Sequence, residues 1–177
     1  MKPLRPRYTR IQREVSELLS RVKIKHAPVP VEDIAQMLGA KIVLNDFNNE
    51  ISGVLIRRGT NIVIGVAKEQ APTRQRFTIA HEIGHLLLHE GEEVHVDRDF
   101  RVNLRSPSSA EAVDVNEIEA NAFAASLLMP EKMLQVDVKE LAVDFEDATK
   151  IDALASRYKV SNQAMTFRLI NLFGNYR

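Results

Sequence analysis

The chain of 177 residues has no cysteine and no tryptophan. Without thiols there is no disulfide framework and no thiolate metal ligand, so a metal site must be built from His, Asp and Glu. The lack of cysteine also fits a reducing compartment. Long apolar runs are missing too: no stretch approaches the ~20 residues of a membrane helix. The N-terminus, Met1-Lys2-Pro3-Leu4-Arg5-Pro6-Arg7, lacks the apolar segment of a secretory signal. The expected location is therefore the cytoplasm, with no membrane partner. Net charge is zero, but unevenly spread. Residues 1–25 hold eight basic and two acidic side chains, whereas residues 90–147 hold fifteen acidic and five basic. The basic segment could meet nucleic acid or an acidic partner. It carries no nucleic-acid motif, so the favoured expectation is that it packs beside the acidic half of its own chain or is solvated. A hydrophobic fraction of 45% and a charged fraction of 27% fit a globular protein with a real core.

What is present is His81-Glu82-Ile83-Gly84-His85, the pattern H-E-x-x-H, between Phe77-Thr78-Ile79-Ala80 and Leu86-Leu87-Leu88. Residues four apart lie above one another on a helix. His81 and His85 would then point the same way, spaced to hold one metal ion. Glu82, about 100° round from His81, would reach a water on that ion. Two neutral imidazoles and a carboxylate are the donor set of zinc-dependent hydrolysis, with Glu82 as general base. The competing reading is an amphipathic helix with two half-buried histidines and a solvated Glu82. Burying two unpartnered imidazoles is costly, and metal ligation removes that cost. Gly84 costs a helix about 1 kcal/mol against alanine. It marks either an open backbone surface or a tight helix contact, and the sequence favours neither.

Catalytic zinc takes three protein ligands and leaves the fourth position to water. Metzincin spacing would need a glycine and a histidine where Leu88 and Gly91 stand, which excludes that class. The third ligand is then sought among carboxylates in the helix-forming stretch from Glu117 to Met129, which Pro130 ends. At about 100° per residue, Glu117 shares a side with Ala120, Asn121, Ala124, Leu127 and Leu128. Glu119 lies about 200° away, beside Ser126. Glu117 is therefore expected in the apolar face as third ligand, with Glu119 pointing away from it. Asn121, one turn on, is placed to orient Glu117 or a ligating histidine. The alternative is that both glutamates are solvated and another acid binds the metal.

The block from Arg76 to His89, followed by Glu117-x-x-Ala120-Asn121-x-Phe123-Ala124-x-x-Leu127-Leu128-Met129-Pro130, resembles the ImmA/IrrE metallo-endopeptidase family. Both blocks match in order over most of the chain between residues 30 and 130. The resemblance implies a gluzincin-like site, one Zn2+ on His81, His85 and Glu117, with Glu82 as base. It also implies a cytoplasmic protein whose substrate is a partner helix-turn-helix repressor, cleaved to release the genes it held silent. Longer members carry a DNA-binding domain, often N-terminal. The stretch ahead of the protease core is too short to be expected to hold one.

The expected fold class is α+β: a small antiparallel sheet packed on the motif helix, with a mostly helical remainder. Two regions are expected, a metallopeptidase core with an N-terminal helix over residues 1–130 and a helical region over 131–177 packed on it. Thr9-x-x-Gln12 reads as a capping box opening the first helix, whose apolar stripe is Ile11, Val15, Leu18, Leu19 and Val22. A short helix is expected from Val31 to Leu38, with Gly39 as its C-cap. Strands are expected over Lys41–Leu44, Gly53–Ile56 and Asn61–Val66, the last two joined by a turn at Arg58-Gly59-Thr60. Pro72 and Thr73 open the motif helix, expected to end near Gly91. Residues 92–114 read as a loop that could lie over the zinc as a lid. His89 and His95 could each assist the reaction, although surface or packing roles are the favoured expectation.

Residues 151–173 read as helix, turn, helix, with Ser161 as N-cap. Low positive charge favours packing or partner docking over direct nucleic-acid binding. Tyr158 is a further candidate to reach the site and donate to an oxyanion. Two function classes remain: a zinc endopeptidase, or a non-catalytic regulator that sequesters the repressor.

Overall fold

A computed structural model describes residues 5–47, 51–89, 93–98, 115–141 and 147–174. The elements are α1 (Tyr8–Arg21), α2 (Val31–Met37), β1 (Ala40–Asn45), β2 (Ile51–Arg58), β3 (Asn61–Ala67), α3 (Pro72–Leu88), β4 (Val94–Arg98), α4 (Val115–Leu128), α5 (Glu131–Glu140), α6 (Ala148–Tyr158) and α7 (Asn162–Phe173). The class is α+β, as expected. Among the described residues the sheet has four strands in the order β1-β3-β2-β4. It is mixed rather than wholly antiparallel, because β1 runs parallel to β3. The chain lays β2 one place away from β1, and the hairpin then brings β3 back into the gap. In that hairpin Arg58 faces Asn61 across Gly59 and Thr60. Gly59 has φ +58°, the left-handed conformation such two-residue turns use.

The expected capping box of α1 does not form. The helix starts at Tyr8, with Arg7 in the cap position and no side-chain cap. Instead the Arg7 backbone N–H donates to Glu119 Oε1 of α4 at 2.6 Å. A carboxylate from a distant helix serves the N-cap N–H, the role a capping box gives to its Gln12, which donates to Ser126 Oγ instead, and the carboxylate's charge suits the positive end of α1. Ile11, Val15 and Leu18 are buried as the stripe required, and α2 ends at Met37, with Leu38 rather than Gly39 as its C-cap and Gly39 following at φ +82°.

α3 packs against the sheet on one side and α4 on the other. It ends at Leu88; Gly91 lies outside the described residues. Gly84 sits where α3 and α4 touch. A Cβ there would come 3.1 Å from Ala120 Cα and 3.2 Å from Phe123 Cβ. Gly84 is thus a helix-contact glycine, not an open surface. Gly84→Ala would gain about 1 kcal/mol of helix propensity but would press on backbone that cannot rotate away. Overpacking of that kind costs about 1–3 kcal/mol, so thermal unfolding should show a lower Tm.

One apolar cluster joins Leu55 of β2, Ile79 and Ile83 of α3, Phe123 and Leu127 of α4, and Leu154, Met165 and Leu169 of α6 and α7. The last two helices therefore share the core. Ser161 caps α7 as expected, accepting from the Ala164 N–H. Arg168, the one basic residue of α7, donates Nε to the Met129 carbonyl. Among the described residues no helix is long and apolar enough to cross a membrane.

Candidate metal centre

His81 and His85 lie one turn apart on α3, and both are buried. Their Nε2 atoms are 3.0 Å from each other. Glu117, in the first turn of α4, places Oε2 3.3 Å from His81 Nε2 and Oε1 3.3 Å from His85 Nε2. Ligand atoms of a tetrahedral ion with 2.0–2.2 Å bonds stand about 3.3 Å apart. The three side chains predicted as ligands thus form a triangle of the size that one ion would span.

The outer partners fix which atoms face the centre. His81 Nδ1 is 3.1 Å from Asn121 Oδ1. An amide oxygen only accepts, so Nδ1 carries the proton and Nε2 presents a lone pair. His89 Nε2 is 3.0 Å from Glu119 Oε2, and His89 Nδ1 is 3.1 Å from His85 Nδ1. The carboxylate accepts, so His89 donates through Nε2 and receives through Nδ1. His85 then donates through Nδ1 and presents Nε2 as a lone pair. Burial pushes His85 down to about 4 and also lowers His89, so both rings are neutral near pH 7. Burial alone would raise the Glu117 carboxyl. Its contacts with His81, His85 and His95 outweigh that and hold it well below the usual carboxylate range. Two imidazole nitrogens and a carboxylate converging on one point need positive charge between them, which a shared proton or a metal ion can supply.

Glu82 is fully buried, and neither carboxylate oxygen has a hydrogen-bond partner. Burial pushes it well above the ordinary range, and the charges of Asp97 and Glu117 add to that. A Cβ on Gly53 of β2 would meet Glu82 Oε1 at 2.6 Å and Thr78 Cγ2 at 2.5 Å. β2 can lie against Glu82 only because residue 53 has no side chain. Gly53→Ala is expected to displace Glu82, lowering any hydrolytic rate while metal binding persists. Its overpacking should cost about 1–3 kcal/mol, read by chemical denaturation.

β4 supplies groups that the loop reading of residues 92–114 missed. Gly53 faces Asp97 and Leu55 faces His95 across the β2–β4 ladder. Residues directly opposite share a face of the sheet. Gly53 points at α3, so His95 and Asp97 point there too, while Val94 and Val96 are exposed on the other face. His95 Nε2 is 3.2 Å from Glu117 Oε1, and its ring centroid is 3.8 Å from that of His85. Donor atoms of His81, His85, His95 and Glu117 all lie within 4.8 Å of one another, as do those of His81, Glu82 and Asp97. The signal was legible as the alternation Val94-His95-Val96-Asp97. It was misread because the polar residues, not the valines, face inward. Residues 99–114, the rest of the expected lid, lie outside the described residues.

One expectation is refined and one is corrected. Glu119, expected to point away from the apolar face that carries Glu117, turns to Arg7 as that phase implies but is not on an uncovered face. It is fully buried, because α1 covers that side of α4, and it is paired with Arg7 at 2.7 Å. Tyr158 is not available to an oxyanion. It is buried, and its hydroxyl donates to Asp137 Oδ2 of α5 at 2.7 Å.

The chain matches the profile of a peptidase family described as the IrrE N-terminal-like domain over residues 35–169. That match crosses from the expected core into the expected C-terminal region. No curated protein sequence matched the chain. Among solved structures it is similar to a Mycobacterium tuberculosis transcriptional regulator, with TM-score 0.60 and 16% identity. The similarity covers 92% of this chain but 46% of the other, so this chain spans about half the length of that protein. At that identity the likeness concerns the fold.

Proposed function

Because the chain belongs to the IrrE N-terminal-like peptidase family, whose profile spans residues 35–169, we propose that it is a zinc-dependent endopeptidase that cleaves a partner helix-turn-helix repressor. Glu82 carries this reading: a buried carboxylate with two unpartnered oxygens beside the triangle of His81, His85 and Glu117. A structural zinc site needs no such base. Zinc held by His81, His85 and Glu117 would polarise the scissile carbonyl and lower the pKa of the attacking water towards ~7. Glu82 takes that water's proton and passes it to the departing amide nitrogen as the C–N bond breaks. Its burial raises its proton affinity, which suits the first task. Asn121 and His89 hold the imidazoles in their ligand tautomers. Among the described residues β4 forms the edge of the sheet beside the centre, where an extended segment of substrate could add as a further strand.

The repressor as substrate rests on the likeness to ImmA/IrrE peptidases, and the similar fold of a transcriptional regulator is compatible with it. The test is to incubate the zinc-loaded protein with the helix-turn-helix repressor encoded beside it. Discrete cleavage that a chelator abolishes supports the reading. An intact repressor held in a stable complex counts against it.

One observation favours the non-catalytic reading. His95 Nε2 is buried, lacks a hydrogen bond and lies 3.2 Å from Glu117, so a fourth protein donor could close the site. Against this, rings radiating from one tetrahedral ion stand about 5 Å apart. The His81 and His85 centroids are 4.7 Å apart and fit, whereas the His95 ring lies against His85 at 3.8 Å, tilted by 33°.

A further inference from the structure

A continuous chain of polar contacts runs from the segment before α1 to the metal centre. Arg7 grips Glu119 with three donors: its backbone N–H at 2.6 Å, Nε at 2.9 Å and Nη2 at 2.7 Å. The two residues are 112 positions apart in sequence. Glu119 Oε2 also accepts from His89 Nε2 at 3.0 Å, and His89 Nδ1 meets His85 Nδ1 at 3.1 Å. The far nitrogen of His85 is one of the three convergent donors. Glu119 is fully buried, so its contacts with Arg7 and His89 are its polar surroundings rather than water. The last turn of α3 is pinned as well. Arg57 donates to the His85 and His89 carbonyls at 2.6 and 3.0 Å, and Arg7 Nη2 reaches the Leu88 carbonyl at 3.4 Å.

We propose that Arg7 and Glu119 are positioning residues of the metal centre: through His89 they fix the ring orientation and tautomer of His85, so that zinc affinity depends on the segment ahead of α1. The inference rests on His81, His85 and Glu117 being the ligands. The physical reason is directional. If Glu119 only needed a counter-charge, the two-pronged Arg7 fork would suffice. Its Oε2 is instead shared with His89, whose other nitrogen can only accept from His85. Remove the carboxylate and His89 loses the partner that sets its tautomer. His89 can then turn its Nδ1–H towards His85, which would leave the His85 proton on the wrong nitrogen. Residues that orient a ligating histidine typically contribute 10–100-fold to metal affinity. Arg7 stands two contacts further out, so about tenfold is expected for it.

The test is zinc affinity, measured by chelator competition on the full chain well below its Tm. The proteins are wild type, Arg7→Ala, Glu119→Gln, the double variant and His81→Ala. Arg7→Ala touches no ligand and leaves a partly exposed position, so it keeps the test open if Glu119→Gln does not fold. Expected are about tenfold weaker zinc binding for Arg7→Ala and at least that for Glu119→Gln. The double variant should be no weaker than Glu119→Gln alone, because both act by one route. An Arg7→Ala protein with a lowered Tm but wild-type zinc affinity would overturn the proposal, reducing the pair to a packing role. Fully additive losses would overturn it too. Wild type binding zinc no better than His81→Ala would overturn the metal centre itself, and this inference with it.

Discussion

Glu82→Gln is expected to abolish cleavage while leaving metal binding and folding intact. Glutamine has the same shape and cannot take a proton from water. General-base catalysis is worth about 10²–10⁴-fold, and a loss of at least that size is expected in kcat rather than KM. Stability should move the other way. The Glu82 carboxylate is fully buried, has no hydrogen-bond partner, and faces the like charges of Asp97 and Glu117. An unpartnered buried charge is a burden on the fold, and a neutral amide removes it. Tm should therefore hold or rise as activity disappears. That opposition separates a base from a structural residue, whose loss would lower both. The measurements are a time course of repressor cleavage, zinc content after dialysis and a thermal melt. Full activity in Glu82→Gln would refute the assignment.

The centre was legible where the chemistry sits on one helical repeat. His81, Glu82 and His85 follow from a four-residue spacing, and the structure places them as that spacing requires. Glu117 and Asn121 followed from the phase of a second helix, and the geometry brings both to the histidines. Helical phase did not foresee the burial of Glu119, because phase says which residues share a side, not how many sides are covered. α4 is buried against α3 on one flank and α1 on the other, so two faces lie inside. The capping box of α1 failed for a related reason: a carboxylate 112 residues away caps the helix at Arg7, and Gln12 turns to Ser126 of α4 instead. β4 was missed because its apolar residues face outward and its polar ones face the site. A pattern that equates apolar with inside reads such a strand as a loop. The parallel pairing of β1 with β3 depends on where the chain lays β2, which no local pattern records.

Removing His81 should be the most damaging change to the centre, and it also tests whether the site is open or closed. His81 Nε2 is one corner of the triangle, 3.0 Å from His85 Nε2 and 3.3 Å from Glu117 Oε2. His81→Ala leaves one imidazole and one carboxylate, too few to hold zinc in a catalytic site. Zinc and cleavage should be lost together. Metal that binds only the folded state stabilises it by about 2.7 kcal/mol at a hundredfold excess over Kd. Wild-type Tm should thus fall on chelation, and His81→Ala should show no such difference between zinc and chelator. His95→Ala is the informative contrast. If His95 is a fourth ligand of a closed, structural site, its loss should weaken zinc as the loss of His81 does. If it lies beside the ion, packed against His85, zinc should remain and any loss should fall on kcat. Retained zinc in His95→Ala with none in His81→Ala supports an open coordination position, which a peptidase needs for water and a sequestering module does not.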